Sequence, residues 1–133
     1  MKYLLDTTWI VGYLRGNQDI IDKIQIFQNE GLAVSVISVA ELYEGVFHSQ
    51  NSASNEVALN LFLQGVRVLD ITEETCISYG QKRTKLYSEG KIIGAIDVLI
   101  AATALNHNLT LLTADHDFER IEGLRLMFPD DFS

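Results

Sequence analysis

Short apolar runs of strand length alternate with longer helical patterns along this chain, and no other sequence feature constrains its fold as strongly. Strands are predicted at residues 2–5, 32–37, 66–71 and 110–113, with a weaker candidate at 124–128. Apolar residues recur every three to four positions at residues 8–15, 19–29, 39–49, 57–64, 73–89 and 94–106, which predicts helices. Strands that alternate with helices predict an α/β fold: a mainly parallel sheet of four or five strands, with helices on both faces.

The composition indicates one compact domain spanning residues 1–133, because 133 residues that are 47% hydrophobic suffice for one core. The chain starts on a strand-like segment without a signal or transit pattern, so we expect an intracellular, cytoplasmic protein. Its single cysteine, Cys76, is predicted to be a small core residue. The net charge of −8 disfavours a broad grip on nucleic acid but suits a cation-binding cleft or a basic protein partner.

Asp97 is the only charged residue among residues 92–105, an otherwise apolar helical segment. It shares a helical face with Ile100, Ala101 and Ala104, so its carboxylate should point towards the core. A buried carboxylate is costly unless it is paired, hydrogen-bonded or bound to a cation. The alternative is that Asp97 only complements the helix dipole in the first turn. A membrane span is disfavoured, since about 20 uninterrupted apolar residues are needed.

Two more acids follow predicted strands. Asp6 ends the first strand, at the edge where parallel sheets place their ligand sites, although it is also a candidate N-cap for the next helix. Ser38 and Glu41 have the spacing of a capping box. That motif alone explains both residues, and it would place Glu41 in the first helical turn after the second strand, at the same edge as Asp6.

A further acidic pair follows the fourth strand. Asp115 follows that strand, and either Asp115 or Asp117 could cap the short turn at Phe118 to Ile121, with Asp117 the preferred candidate. If the helix of Asp97 leads back to the fourth strand, its N-terminus reaches the same edge. Carboxylates gathered there would repel one another unless a divalent cation compensates. Oxygen ligands alone favour Mg2+ or Mn2+ over zinc, and the three histidines lack metal-ligand spacing.

Four motifs occur in order along the chain: LDTT at residues 5–8, SVAEL at 38–42, GAIDVLIAA at 94–102 and LTADHDF at 112–118. Together they resemble the motifs of PIN-domain proteins, and among these the VapC-type toxins of toxin–antitoxin pairs. The resemblance implies a three-layer PIN-like fold and a Mg2+- or Mn2+-dependent endoribonuclease with an acidic site at Asp6, Glu41, Asp97 and Asp115. Asp117 matches a position where some relatives add another acid. A homodimer and a cognate antitoxin, whose C-terminal segment covers the acidic cleft, are also implied.

The predicted reaction is hydrolysis of an RNA phosphodiester by a metal-activated water. Asp6 and Asp97 are the expected direct ligands, whereas Glu41 and Asp115 bind through water or orient the nucleophile. A cluster of basic residues precedes the Asp97 helix and is the hypothesised contact for the RNA backbone; a solvated helix face is the alternative. These residues are Lys82, Arg83, Lys85 and Lys91.

Two other functions remain open at this point. A receiver-like phospho-acceptor module is one, because Asp70 ends the third strand, but the chain lacks paired acids after the first strand and has no lysine after Lys91. A non-catalytic acidic domain that holds a basic peptide is the other. Four aromatic residues near the acids could line the bottom of a peptide-binding groove. Alternatively, they belong to the core or to a dimer interface. They are Trp9, Tyr13, Tyr43 and Phe47.

Overall fold

The computed structural model describes residues 2–132, and its centre is a sheet of five parallel strands. The strands are β1 (Tyr3–Leu5), β2 (Leu32–Ser35), β3 (Arg67–Leu69), β4 (Thr110–Leu112) and β5 (Leu126–Met127). Their order across the sheet is β3-β2-β1-β4-β5, so β1 is central. The predicted α/β fold with a parallel sheet is therefore confirmed. In this order β3 lies at the edge, whereas receiver-like folds have the order 2-1-3-4-5, so the strand order does not favour the phospho-acceptor alternative.

Six α-helices connect and cover the strands within the described residues. They are α1 (Thr7–Leu14), α2 (Gln18–Phe27), α3 (Val36–His48), α4 (Ser52–Gln64), α5 (Glu73–Ser88) and α6 (Ala95–Asn106). A 3-10 helix, His116–Arg120, follows β4. No helix in the described part of the chain has the length and apolar composition that crossing a bilayer requires.

The sheet separates two hydrophobic clusters, because side chains alternate between its faces. In β1, Tyr3 and Leu5 pack with α1 to α4 on one face, and Leu4 packs with α5 and α6 on the other. Trp9 is fully buried at the centre of the first cluster and Phe118 is buried in the second. The result is the predicted three-layer arrangement, with helices on both faces.

Helix α6 begins at the edge of the sheet where the strands end and leads back to the start of β4. Its buried stripe includes Ile100, Ala101 and Ala104, as predicted. Helix α5 packs antiparallel to it, since Asn106 in the last turn of α6 donates a hydrogen bond to Thr75 in the first turn of α5. The loop between α5 and α6 therefore lies at the same edge as the strand ends.

The start of α3 and the burial of Cys76 both differ from the predictions. Helix α3 begins at Val36, inside the predicted second strand, because the Ser35 hydroxyl accepts a hydrogen bond from the Ile37 N–H and caps the helix early. Cys76 is exposed rather than buried, since the neighbouring Thr75 faces the core of this layer and Cys76 projects from the adjacent, outer face of α5.

Candidate active site

Asp6 lies at the centre of the edge formed by the carboxyl ends of the strands. It follows β1 directly and its side chain is only 3% exposed. Although Asp6 occupies the N-cap position of α1, its side chain makes no capping hydrogen bond. Its Oδ2 accepts hydrogen bonds from the Thr8 hydroxyl (2.9 Å) and the Thr113 hydroxyl (2.7 Å). Burial raises the pKa of Asp6 above its usual range, and these two hydrogen bonds offset part of that effect.

The same threonines join the ends of β1 and β4. Thr113 Oγ1 accepts from the Asp115 N–H at 3.0 Å, and Thr8 Oγ1 accepts from the Ala114 N–H at 3.1 Å. The network fixes the Asp6 carboxylate against the loop that carries Asp115. Thr113 is a site residue that the sequence did not reveal, because its role depends on the pairing of two strands far apart in the chain.

Glu41 reaches this edge from the second turn of α3. The predicted capping box is wrong, since α3 begins at Val36 and the buried Ser38 hydroxyl has no partner among residues 2–132. Glu41 Oε1 instead accepts a hydrogen bond from the Thr7 hydroxyl at 2.8 Å. This contact ties the carboxylate to the first turn of α1, immediately beside Asp6.

Asp97 lies in the first turn of α6 and is partly buried. Burial raises its pKa from an ordinary 3.8 to about 6, and the carboxylates of four acids add to the shift. In decreasing order of effect, these acids are Asp6, Asp115, Glu41 and Asp117. No hydrogen bond from the described residues offsets the shift. The structure thus brings all five candidate acids close enough for Asp97 to be repelled by each of the others.

The preferred cap of the turn after β4 is wrong. Asp115, not Asp117, caps the 3-10 helix, and its Oδ1 accepts a hydrogen bond from the Asp117 N–H at 2.9 Å. Asp117 is instead 3.8 Å from the guanidinium of Arg120. The cap is formed by Asp115 because the 3-10 helix begins at His116, two residues before the turn predicted at Phe118.

The acidic residues suit a hydrated divalent cation better than a dehydrated one. Among residues 2–132, no three carboxylate, imidazole or thiol side chains are arranged to enclose an ion. Mg2+ rarely needs such a cage, because it keeps several waters and binds through one or two carboxylates together with substrate phosphates. Every candidate ligand offers oxygen, and the raised pKa of Asp97 indicates negative charge that a cation would stabilise.

The predicted RNA-contact residues on α5 already have partners within the chain. Lys82 donates to the Glu122 carbonyl and Lys85 forms an ion pair with the Glu122 carboxylate. Lys91, in the loop after α5, lies 3.9 Å from Glu89. The positive charge of these lysines is therefore partly neutralised by neighbouring acids.

Arg83 has a different environment from these lysines. Its guanidinium lies 5.1 Å from the centre of the Tyr87 ring and donates hydrogen bonds to the hydroxyls of Tyr79 and Tyr87. No carboxylate among the described residues pairs with it in an ion bridge. Of the four predicted cations, Arg83 thus keeps the most uncompensated charge, and its contact with RNA stays a prediction.

A mainly apolar groove of about 230 Å3 opens beside Thr7 and Glu41, between α1, α3 and α4. Val11 and Val46 belong to its lining, and Arg15 stands among its polar residues. Of the aromatic residues considered for such a groove, Trp9 belongs to the core instead, whereas Phe47 is 63% exposed and stacks on Tyr43.

Comparison with known proteins agrees with this architecture. The sequence model of the PIN-domain family matches residues 3–124. Ribonuclease VapC1 of Haemophilus influenzae strain R2866 is 36% identical over 128 residues, covering 94% of this chain and 96% of the relative. Ribonuclease VapC2 of Rickettsia felis is 35% identical over 129 residues, covering 95% and 96%.

A solved structure agrees as well. The crystal structure of VapBC2 from Rickettsia felis bound to a DNA fragment from its promoter contains a chain that superposes with a TM-score of 0.91 at 32% identity, covering 96% of this chain and 98% of that one. The match extends over both helical layers and the edge that carries the acids. From its motifs, its strand order and these relatives, the chain belongs to the PIN-domain family and, within it, to the VapC proteins.

Proposed function

We propose that this chain is a Mg2+- or Mn2+-dependent endoribonuclease and the toxin of a toxin–antitoxin pair. The observation that carries the proposal is the convergence of five carboxylates at one edge of the sheet, where Asp97 has no hydrogen-bond donor or cation beside it among the described residues and its pKa is raised to about 6. A purely structural carboxylate would be expected to have a donor or a cationic partner. The relatives named ribonucleases support RNA as the substrate class.

Each acid has a role that follows from its position. Asp6 is held through Oδ2 by Thr8 and Thr113, and we assign its carboxylate, together with that of Asp97 on α6, to direct binding of the cation. We assign Glu41, which is bound to the Thr7 hydroxyl, and Asp115, which caps the 3-10 helix, to water-mediated binding or to orienting the nucleophile. When bound, Mg2+ or Mn2+ would lower the pKa of a water and offset charge on the phosphate. Asp117 is assigned a peripheral role because Arg120 lies beside it.

The partner proposed for the groove between α1, α3 and α4 is the cognate antitoxin. Its apolar lining suits an amphipathic segment, and its position beside Glu41 would let a basic side chain of that segment reach the carboxylates. The VapBC2 structure to which this chain is similar supports a protein partner of this kind. Growth arrest on cytoplasmic expression, relieved by the co-expressed antitoxin, is the expected result; arrest that persists with the antitoxin bound would contradict inhibition at this groove.

A homodimer is proposed as well, on the family resemblance. Ile92 is 81% exposed and Ile96 is 43% exposed, which leaves apolar surface at the α5–α6 loop for an interface. Sedimentation should show a dimer that Ile92→Ser weakens, and a monomer at all concentrations would refute the proposal.

The nuclease is tested by RNA cleavage with Mg2+, Mn2+ or EDTA. We expect native cleavage only with a divalent cation, and we expect Asp97→Asn to fold yet lose at least about a hundredfold in rate, because a cation ligand contributes several kcal/mol at the transition state. The matched control is Asp70→Asn, an exposed acid after the edge strand β3 that does not contribute to the Asp97 shift; its rate should be unchanged. Cleavage in EDTA, or full activity of Asp97→Asn, would refute the proposal.

A further inference from the structure

Two aromatic rings form a stack at the outer end of the acidic edge. The His116 ring lies nearly parallel to the Phe128 ring, with an interplanar angle of 12° and 4.1 Å between centroids. Phe128 follows β5, and His116, between Asp115 and Asp117, is the first residue of the 3-10 helix after β4. Because β4 and β5 are parallel neighbours, the stack continues the line of strand ends that carries Asp6 and Asp115.

The His116 ring is held on two sides and open on a third. Its Nδ1 donates a hydrogen bond to Glu119 Oε1 at 3.0 Å, since a carboxylate only accepts. Phe128 covers one face, yet the His116 side chain remains 68% exposed, so the opposite face is open to solvent. An aromatic ring fixed in this way loses little conformational entropy when a third flat group is added to the stack.

The charges around the stack of His116 and Phe128 indicate which kind of flat group could bind on its open face. Asp115, Asp117 and Glu119 are its sequence neighbours, and Arg120 is beside Asp117. A phosphate would meet net negative charge here, on a chain whose total charge is −8. A neutral nucleobase meets no such repulsion, and stacking on aromatic side chains is a common way for proteins to hold unpaired bases of RNA.

We propose that the open face of His116, backed by Phe128, binds an unpaired nucleobase of the RNA substrate next to the acidic site. This inference rests on the proposed ribonuclease function and adds a substrate requirement to it: the RNA must be single-stranded or splayed open at this point. It also explains how an acidic protein with few uncompensated cations gains affinity for RNA, since stacking needs no positive charge.

The test is binding of a single-stranded oligoribonucleotide of roughly 12 residues that carries the fluorescent base 2-aminopurine, measured in EDTA so that cleavage does not interfere. We expect His116→Ala to weaken binding about tenfold and to abolish the quenching that stacking produces. His116→Phe should retain most of both, because it keeps an aromatic ring beside Phe128 and loses the ring nitrogens together with the hydrogen bond to Glu119. Phe128→Leu should weaken both in part. The matched control, His48→Ala, removes an exposed histidine at the end of α3 and should change nothing.

The outcomes separate this inference from the nuclease proposal. If the native chain cleaves RNA with a divalent cation but His116→Ala binds as tightly as the native chain, the stack is refuted and the nuclease stands. Loss of binding in His116→Phe as severe as in His116→Ala would also refute stacking, and would assign the effect to the imidazole nitrogens. If the native chain neither binds nor cleaves RNA, both proposals are refuted.

Discussion

Replacing Asp97 by asparagine should stabilise the folded chain near neutral pH. In the fold the pKa of Asp97 is raised from 3.8 to about 6 by burial and by surrounding carboxylates, so the charged form is less stable there than in the unfolded chain. The full shift corresponds to at most about 3 kcal/mol. Because Asp97 is only partly buried, solvent screening reduces this penalty. We expect Asp97→Asn to raise the free energy of unfolding at neutral pH by about 1 kcal/mol.

The pH dependence gives this prediction its sign. Between about pH 4 and pH 6 the folded chain binds more protons at Asp97 than the unfolded chain does, so native stability falls as the pH rises through this window. Below the unfolded pKa both states are protonated and the penalty disappears. The gain in the free energy of unfolding that Asp97→Asn gives should therefore be near zero at about pH 4, and it should reach its full value above about pH 6.

The assay is urea or thermal denaturation of both chains in EDTA, followed by circular dichroism from about pH 4 to pH 8. At neutral pH we expect the variant to melt roughly 3–5 °C higher, which is the shift that about 1 kcal/mol produces in a domain of this size. Added Mg2+ should narrow the difference in melting temperature between the two chains, because it binds and stabilises the folded chain that retains the Asp97 carboxylate. A variant that is less stable at neutral pH would refute the reasoning, and would show that Asp97 mainly serves the dipole of α6.

Three other outcomes follow from the same geometry. Thr113→Val should lower the free energy of unfolding by about 1–3 kcal/mol in urea titrations, since it leaves Asp6 and the Asp115 N–H short of a buried partner; unchanged stability would contradict the network. Calorimetric titration should show Mn2+ binding that weakens below about pH 6, as protons compete for Asp97, whereas constant affinity down to pH 5 would contradict this. Joint replacement of the four basic residues at positions 82, 83, 85 and 91 by glutamine should weaken RNA binding and flatten its salt dependence; an unchanged slope would exclude them as contacts.

The arrangement of the acids was predictable because parallel strands all end at one edge of the sheet. Asp6 and Asp115 follow such strands, and the apolar helix of Asp97 had to return to the start of β4. Local details were less predictable. Ser35 and Ser38 are equally good caps by residue type, and only the structure shows that the Ser35 hydroxyl accepts the Ile37 N–H and caps α3.

Contacts between distant segments could not be predicted from a single sequence. The hydrogen bond from Thr113 to Asp6 joins residues 107 positions apart and exists only because β1 pairs with β4. The partner of Lys82 and Lys85 on α5 is Glu122, which lies in the loop before β5. The stack of His116 on Phe128 likewise needs β4 and β5 side by side. Pattern and spacing indicate which residues share an edge, whereas the bonds among them depend on tertiary pairing.

The central claim is that these carboxylates hold a divalent cation, and anomalous diffraction from crystals soaked in Mn2+ tests it most directly. We predict a peak between Asp6 and Asp97, with carboxylate oxygens of both at about 2 Å, and no peak at that place in Asp97→Asn crystals. A cation bound elsewhere in a chain that cleaves RNA, or a peak that persists unchanged without the Asp97 carboxylate, would contradict the assignment.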